Sequence, residues 1–304
     1  MIFSALALRV SNMKVGVLGL GNMGAGMAAT LVSKDFEVYG FDLSTQAIIE
    51  AQKHGVQPVK NLKELLDHIE ILIISLPKAE HVEAVIFGEN GVLTRGHAGL
   101  IIVDTTTSTP ETSRKVAAAL AEKQMYFADT PVSGGPKGAA TGTMSMVIGA
   151  EDDVMHKIKP VLEAMSTTQV HVGGVGAGNI TKIANNLLAA AHLITTAEAM
   201  SLAVHCGIDP EKLLAGINAG SGRSAASQAM FPQWVLNKAY NSGFSMGLMR
   251  KDVGLAQDMA DALELDLPVS KKIVALWREG SKPQLSDTED FTAIVKHTDL
   301  EFFG

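Results

Sequence analysis

The chain has 304 residues, 47% apolar and 19% charged, with a formal net charge of −7. That length suits one large domain or two, and the apolar share excludes a disordered chain. An acidic balance with no basic block argues against a nucleic-acid partner held through its phosphates.

Residues 1–12, MIFSALALRVSN, are apolar but too short to span a bilayer, and their only cation follows the apolar run. They read as an N-terminal extension, with Met13 a second candidate start. From Lys14 to about Gly174 the β-rich runs KVGVLGL, FEVYGFD, EILIISLP, GLIIVDTTT, MYFADTPV, TMSMVIG and VHVGG alternate with segments of helical spacing. Alternation of this kind predicts an α/β domain with a mainly parallel sheet, over residues 13–175. Helices then take over, predicting an all-α domain over 176–304. Its first segment, from Asn179 to about Cys206, suits one helix of about 42 Å. This helix carries Lys182, Asn185, Asn186, His192, Glu198 and His205, which argues against a membrane span and for burial in a domain or an interface. Cys206 is the single cysteine, so no intramolecular disulfide and no Cys-x-x-Cys metal site can form. A reducing, cytoplasmic setting is expected, with no metal, membrane or nucleic acid involved.

Gly19, Gly21 and Gly24 form G-x-G-x-x-G directly after the first strand and open a helix. The first glycine permits a tight turn, the second lets backbone approach a pyrophosphate, and the third lets helix and strand pack closely. Leu20, Asn22 and Met23 complete this loop. The second strand ends in Asp42, 23 residues after Gly19, followed by Leu43 and Ser44. A carboxylate there suits the ribose hydroxyls and repels the extra phosphate of NADP, so NAD is the expected cofactor. Ser44 is the expected cap of the next helix.

Leu76 and Pro77 end the EILIISLP strand and suit either a stiff loop or a dinucleotide contact. In DTTTSTP, Ser108 or Thr109 ahead of Pro110 suits a helix cap, which leaves Thr107 as the functional candidate. Ser133, Gly134 and Gly135 follow another strand end, where their N–H groups and hydroxyl suit either an anion such as a carboxylate or a tight turn. Lys182 and Asn186 lie at i, i+4 in an apolar helix, with Asn185 beside them. A lone helical lysine is ordinarily a solvated surface group, but one that loses water becomes a proton acceptor near neutral pH.

The glycine loop, DTPVSGGPKGA, GAGNITKIANN and FSMGLMRKD together resemble the β-hydroxyacid dehydrogenases, from about Lys14 to about Lys296. That family includes 3-hydroxyisobutyrate, 2-(hydroxymethyl)glutarate, threonate and tartronate semialdehyde enzymes. The resemblance implies a Rossmann domain and an all-α domain joined by the long helix, and an NAD-dependent oxidoreductase acting on a small hydroxy acid. By similarity Lys182 is the proton-transfer residue and Asn186 positions substrate. Ser133, Gly134 and Gly135 would hold the substrate carboxylate. Thr107, Phe244 and Lys251 would lie by the nicotinamide, with Asp252 orienting Lys251. Met246 replaces a family Leu, a swap that conserves volume. The resemblance and the apolar long helix also imply a homodimer or homotetramer.

Three alternatives carry less weight. A 6-phosphogluconate dehydrogenase needs a larger helical domain. An imine reductase has another residue at the lysine position and generally uses NADPH. A non-catalytic dinucleotide-binding module would not need the full set of chemical residues. Arg223 suits a second substrate carboxylate less well than a salt bridge, and Phe231 and Trp234 suit core or interface rather than a pocket wall.

Overall fold

The structure, a computed structural model, describes residues 13–278 and 284–304, so the extension over residues 1–12 lies outside the described residues. The chain divides into two compact units, the first ending at Lys182 and the second running from Ile183 to Gly304.

The first unit is built on one nine-stranded sheet. Its strands are β1 (Lys14–Leu18), β2 (Glu37–Phe41), β3 (Gln57–Pro58), β4 (Ile71–Ile74), β5 (Ile101–Asp104), β6 (Tyr126–Asp129), β7 (Val132–Ser133), β8 (Met144–Gly149) and β9 (Ser166–Gly173). The first six run parallel in the order β3-β2-β1-β4-β5-β6, which is the doubly wound dinucleotide-binding order. β8 then pairs antiparallel with β6 and β7, and β9 adds parallel to β8. Pairing of Asp129 with Gly149 and of Val132 with Met146 keeps one register, so β7 continues the edge that β6 begins.

Both faces of the sheet are covered, which is why β4 (ILII) and β5 (IIVD) read as unbroken apolar runs. Alternate residues feed opposite cores: Val15, Val17, Ile71 and Ile73 pack with Met27 and Leu31 on one face. Leu18, Leu72, Ile74 and Ile102 pack with Leu65, Leu66 and Leu120 on the other. The helices between strands begin where capping chemistry dictates. Ser44 accepts from Ala47 N ahead of helix Thr45–Gln52, and Thr109 accepts from Thr112 N ahead of helix Pro110–Ala121.

Two features were not legible as periodic runs. Strands β3 and β7 have two residues each, too short to show alternation. The glycine- and alanine-rich segment after Ser133 is not bare loop but a helix, Gly135–Thr141. Its small residues permit close packing on helix Asn22–Ser33. Thr30 Oγ1 donates to the Ala139 carbonyl at 2.7 Å, and a Cβ at Gly26 would lie 3.0 Å from that of Ala139.

Among its described residues the second unit consists of helices joined by turns and loops, with one isolated bridge, Ser245 to Asp290. Helix Ala177–His205, 29 residues long, begins in the first unit and continues into the second. By length and composition it is the one described helix able to cross a membrane. Here its Ala190, Leu193, Ala197 and Met200 pack into a core with Phe231, Met249, Val253, Trp277 and Phe303. Phe231 is thus a core residue. Trp234 is half-buried. Leu188 and Leu202 on the same helix are 57% and 71% exposed and lie outside this core. The segment Ala226–Val235 winds as a π-helix around Pro232, whose missing N–H suits a departure from regular α-helical bonding.

Candidate active site

The parallel strands β1, β4 and β5 end at one edge of the sheet, and the sequence-predicted residues of the first unit gather there. Gly19 turns the chain with φ +89°, a left-handed conformation that only glycine adopts without strain, and its N–H donates to the Phe41 carbonyl at 3.0 Å. A Cβ on Gly24 would lie 1.8 Å from the Gly19 carbonyl oxygen, so the helix start packs directly on the turn. At Gly21, by contrast, a Cβ would meet nothing within 4 Å. Gly21 also precedes helix Asn22–Ser33 with no side chain capping it. Backbone N–H groups facing open space at a helix start fit a pyrophosphate.

Asp42 closes this loop. Its Oδ2 accepts from Leu20 N at 2.6 Å and its Oδ1 from Ser44 N at 2.7 Å, while Leu43 beside it is 95% exposed. The carboxylate therefore shapes the glycine loop itself, a task its position in the sequence does not reveal, and its remaining lone pairs are what a ribose could use. Replacing Asp42 with Ala is expected to narrow any preference for NAD over NADP and also to weaken NAD itself by about tenfold, through loss of one charge-assisted hydrogen bond. Titration of both cofactors by fluorescence checks this. Unchanged NAD affinity would mean that the brace does not matter to the loop.

At the next strand ends, Leu76 N donates to Thr106 Oγ1 at 3.1 Å, and Thr106 N donates to Asp104 Oδ1 at 2.9 Å. Thr107 follows, half-buried, and Pro77 is exposed.

Ser133 ends β7, and Gly134 and Gly135 then turn with φ of +123° and +62°. Lys182 comes to this turn: it is 8% exposed and its Nζ donates to Ser133 Oγ at 2.9 Å. Two motifs 49 residues apart in sequence thus meet. Ser133 does open a tight turn, while the low exposure of Lys182 does not fit a solvated surface cation.

A residue that the motifs did not single out lies beneath it. Asp129, at the end of β6, is fully buried and accepts from Gly176 N and Asn179 N, each at 2.7 Å. Burial pushes its carboxyl up to about 6, against the opposing pull of those two N–H groups and the Arg114 cation. A carboxyl that holds its proton more tightly folded than unfolded costs stability when ionised. The cost is absent below about pH 4 and grows as pH rises through about 6, reaching about 3 kcal/mol. Asp129→Asn is therefore expected to remove this slope from denaturant-measured stability between pH 4 and 7. Parallel pH curves for the two proteins would contradict it.

The remaining candidates belong to the second unit. Asp252 is 1% exposed, and its Oδ2 accepts from Asn186 Nδ2 at 2.5 Å while Lys251 Nζ lies 3.1 Å from Oδ1. Asn185 Nδ2 in turn donates to Asn186 Oδ1 at 3.1 Å. Asp252 therefore holds two of the predicted residues, Asn186 as well as Lys251. Phe244 packs edge-on against Phe291, their centroids 5.5 Å apart. Arg223 is exposed and donates to the Gly220 carbonyl at 3.1 Å, at the C-terminal end of helix Pro210–Ala219.

A doubly wound domain with this glycine loop, followed by a helical domain, defines the class of dinucleotide-dependent oxidoreductases. Residues 14–174 match the family described as the NAD binding domain of 6-phosphogluconate dehydrogenase. Residues 176–298 match the NAD-binding domain of NADP-dependent 3-hydroxyisobutyrate dehydrogenase. The chain is 37% identical over 285 residues to 2-(hydroxymethyl)glutarate dehydrogenase of Eubacterium barkeri, covering 94% of each chain. It is 32% identical over 290 residues to the NAD-dependent L-serine dehydrogenase of Pseudomonas aeruginosa, covering 93% of this chain and 97% of that one. Among solved structures, Mycobacterium tuberculosis 3-hydroxyisobutyrate dehydrogenase with L-serine superposes with TM-score 0.87 at 30% identity, covering 95% of this chain and 99% of that chain. The protein belongs to the 3-hydroxyisobutyrate dehydrogenase-like family of β-hydroxyacid dehydrogenases and carries that family's NAD-binding Rossmann domain.

Proposed function

We propose that the protein oxidises the hydroxyl-bearing carbon of a small hydroxy acid, or reduces the matching carbonyl, with NAD as its nicotinamide cofactor. The observation that carries this reading is the buried contact of Lys182 Nζ with Ser133 Oγ, 2.9 Å. When bound, NAD supplies the hydride acceptor. Gly19, Leu20, Gly21, Asn22, Met23 and Gly24 hold its pyrophosphate, and Asp42, Leu43 and Ser44 its adenosine side. Leu76, Pro77, Thr107, Phe244 and Lys251 attend the nicotinamide half, with Asp252 orienting Lys251 and Asn186.

Ser133, Gly134 and Gly135 take the substrate carboxylate, which fixes the carbinol carbon relative to Lys182. Lys182 Nζ accepts the hydroxyl proton as the carbinol is oxidised and returns it in reduction. Asn186 donates to the substrate and keeps the reacting oxygen near the lysine. On this reading residues 13–175 are the cofactor domain and 176–304 the substrate and assembly domain. The exposed Leu188 and Leu202 support assembly of two or four copies of the chain, and the setting we propose is the cytoplasm.

The test is NADH formation by the purified protein with a panel of acids: 3-hydroxyisobutyrate, L-serine, 2-(hydroxymethyl)glutarate, L-threonate and D-glycerate. Turnover of at least one, with NAD preferred over NADP, is expected. Measurable NAD binding with no turnover of any acid would count against this substrate class.

A further inference from the structure

Two hydrogen-bonded ties join the stretch from the end of β6 to Ser133 with the start of helix Ala177–His205, and only one of them involves a residue of the proposed chemistry. The outer tie is Lys182 to Ser133. The inner one is Asp129, whose two oxygens accept from Gly176 N and Asn179 N. Asp129 lies four residues before Ser133, and Asn179 three before Lys182, so the ties are successive rungs between the same two pieces of chain.

The inner rung is fully buried and closely built. Asn179 has no exposed surface. Its Oδ1 accepts from Ser108 N at 2.9 Å and its Nδ2 donates to Ser113 Oγ at 3.0 Å, so the first helical turn is also tied to helix Pro110–Ala121. Gly149 and Gly178 make room for this. A Cβ on Gly149 would lie 2.4 Å from Asp129 Oδ1, and one on Gly178 would lie 2.5 Å from the Asp129 carbonyl oxygen. Orphan N–H groups at a helix start need acceptors, and water on the surface could supply them. Here a buried carboxylate does so instead, although burial opposes its charge. An arrangement that holds an ionisable group against its own solvation makes sense where it fixes a geometry.

We propose that Asp129 and Asn179 are positioning residues that set the axial and rotational register of the helix start and thereby hold Lys182 Nζ at Ser133. The inference rests on reading Lys182 as the proton-transfer group. A lysine side chain has four rotatable bonds, and a helix start free to shift by 1 Å would let its amine leave a 2.9 Å contact. Asn179, one helical turn before Lys182, is where the second restraint has most leverage on the lysine.

The experiment uses the full chain and needs no substrate for its first part. Lys182 is labelled with trace acetic anhydride in the wild type, Asp129→Asn and Asn179→Ala, with exposed Lys137 as internal standard and mass spectrometry as the readout. Both variants are expected to raise Lys182 labelling about fivefold or more at a temperature where circular dichroism shows them folded. Unchanged labelling in a folded variant overturns the proposal, and Asn179→Ala serves if Asp129→Asn does not fold. The second part measures kcat on the best acid of the panel. A fall of about tenfold or more is expected, with the Kd for NAD unchanged, and Asp129→Asn adds nothing in a Lys182→Ala background because both act through one amine. A full additional loss in that background overturns the proposal. Should Lys182→Ala itself retain turnover, the proton-transfer reading fails, while labelling still decides whether the inner rung positions the lysine.

Discussion

Replacing Lys182 with alanine is expected to lower kcat by about a thousandfold, within the range of roughly 10²–10⁴ that a positioned proton-transfer group contributes. Lys182 is 8% exposed and its amine sits on Ser133 Oγ, at the loop proposed to take the substrate carboxylate, so bulk solvent is a poor replacement for it. The fold should survive. Loss of one side-chain hydrogen bond costs about 1 kcal/mol, and the carboxylate of Asp129 still ties the helix start. NAD binding should survive too, since the loop from Gly19 to Gly24 and its brace Asp42 keep their own contacts. Lys182→Arg gives a sharper control: arginine keeps the charge but cannot be deprotonated at accessible pH, so it should be as inactive as alanine. The measurement is steady-state turnover beside NAD titration. Near-normal kcat in either variant would remove Lys182 from the chemistry.

The second large effect concerns the glycine loop, where substitutions at Gly21 and Gly24 should both weaken NAD binding but differ in their effect on stability. Gly24→Ala places a methyl 1.8 Å from the Gly19 carbonyl oxygen and 2.9 Å from its carbon. Backbone cannot yield by that much without moving helix Asn22–Ser33 off the turn. Overpacking of this kind costs about 1–3 kcal/mol or more, so melting temperature should drop clearly and NAD affinity should fall with it. Gly21→Ala places its methyl where nothing lies within 4 Å, so stability should barely change. Yet that open space is where a pyrophosphate would approach the backbone, and NAD affinity should still fall by about a hundredfold. Isothermal titration and thermal melts on the two variants separate the roles. Wild-type NAD affinity in Gly21→Ala would show that the cofactor does not close on this part of the loop.

The most legible parts of this protein were those written in local chemistry. Unbroken apolar runs such as ILII and IIVD mark strands covered on both faces, and Ser44, Thr109 and the glycine triplet mark helix starts within a few residues of where they lie. The long helix over Ala177–His205 is readable because no glycine or proline interrupts the chain from Asn179 to His205. The helix Gly135–Thr141 was not, because glycine and proline read locally as loop, while its stability comes from close packing against helix Asn22–Ser33.

The candidate site divides along the same line. Residue types and motif order by themselves determined the dinucleotide loop, the acidic end of β2 and the family, since each is a contiguous pattern imposed by backbone geometry. Only the tertiary structure decided that Lys182 meets Ser133, that Asp42 braces Leu20, that Asp252 holds Asn186 as well as Lys251, and that Asp129 binds the helix start. Apart from the adjacent Lys251–Asp252 pair, these contacts join residues from 22 to 66 positions apart. Their worth comes from burial, which no local pattern states: a carboxylate or an amine says nothing in sequence about whether water or a neighbouring chain segment will be its partner.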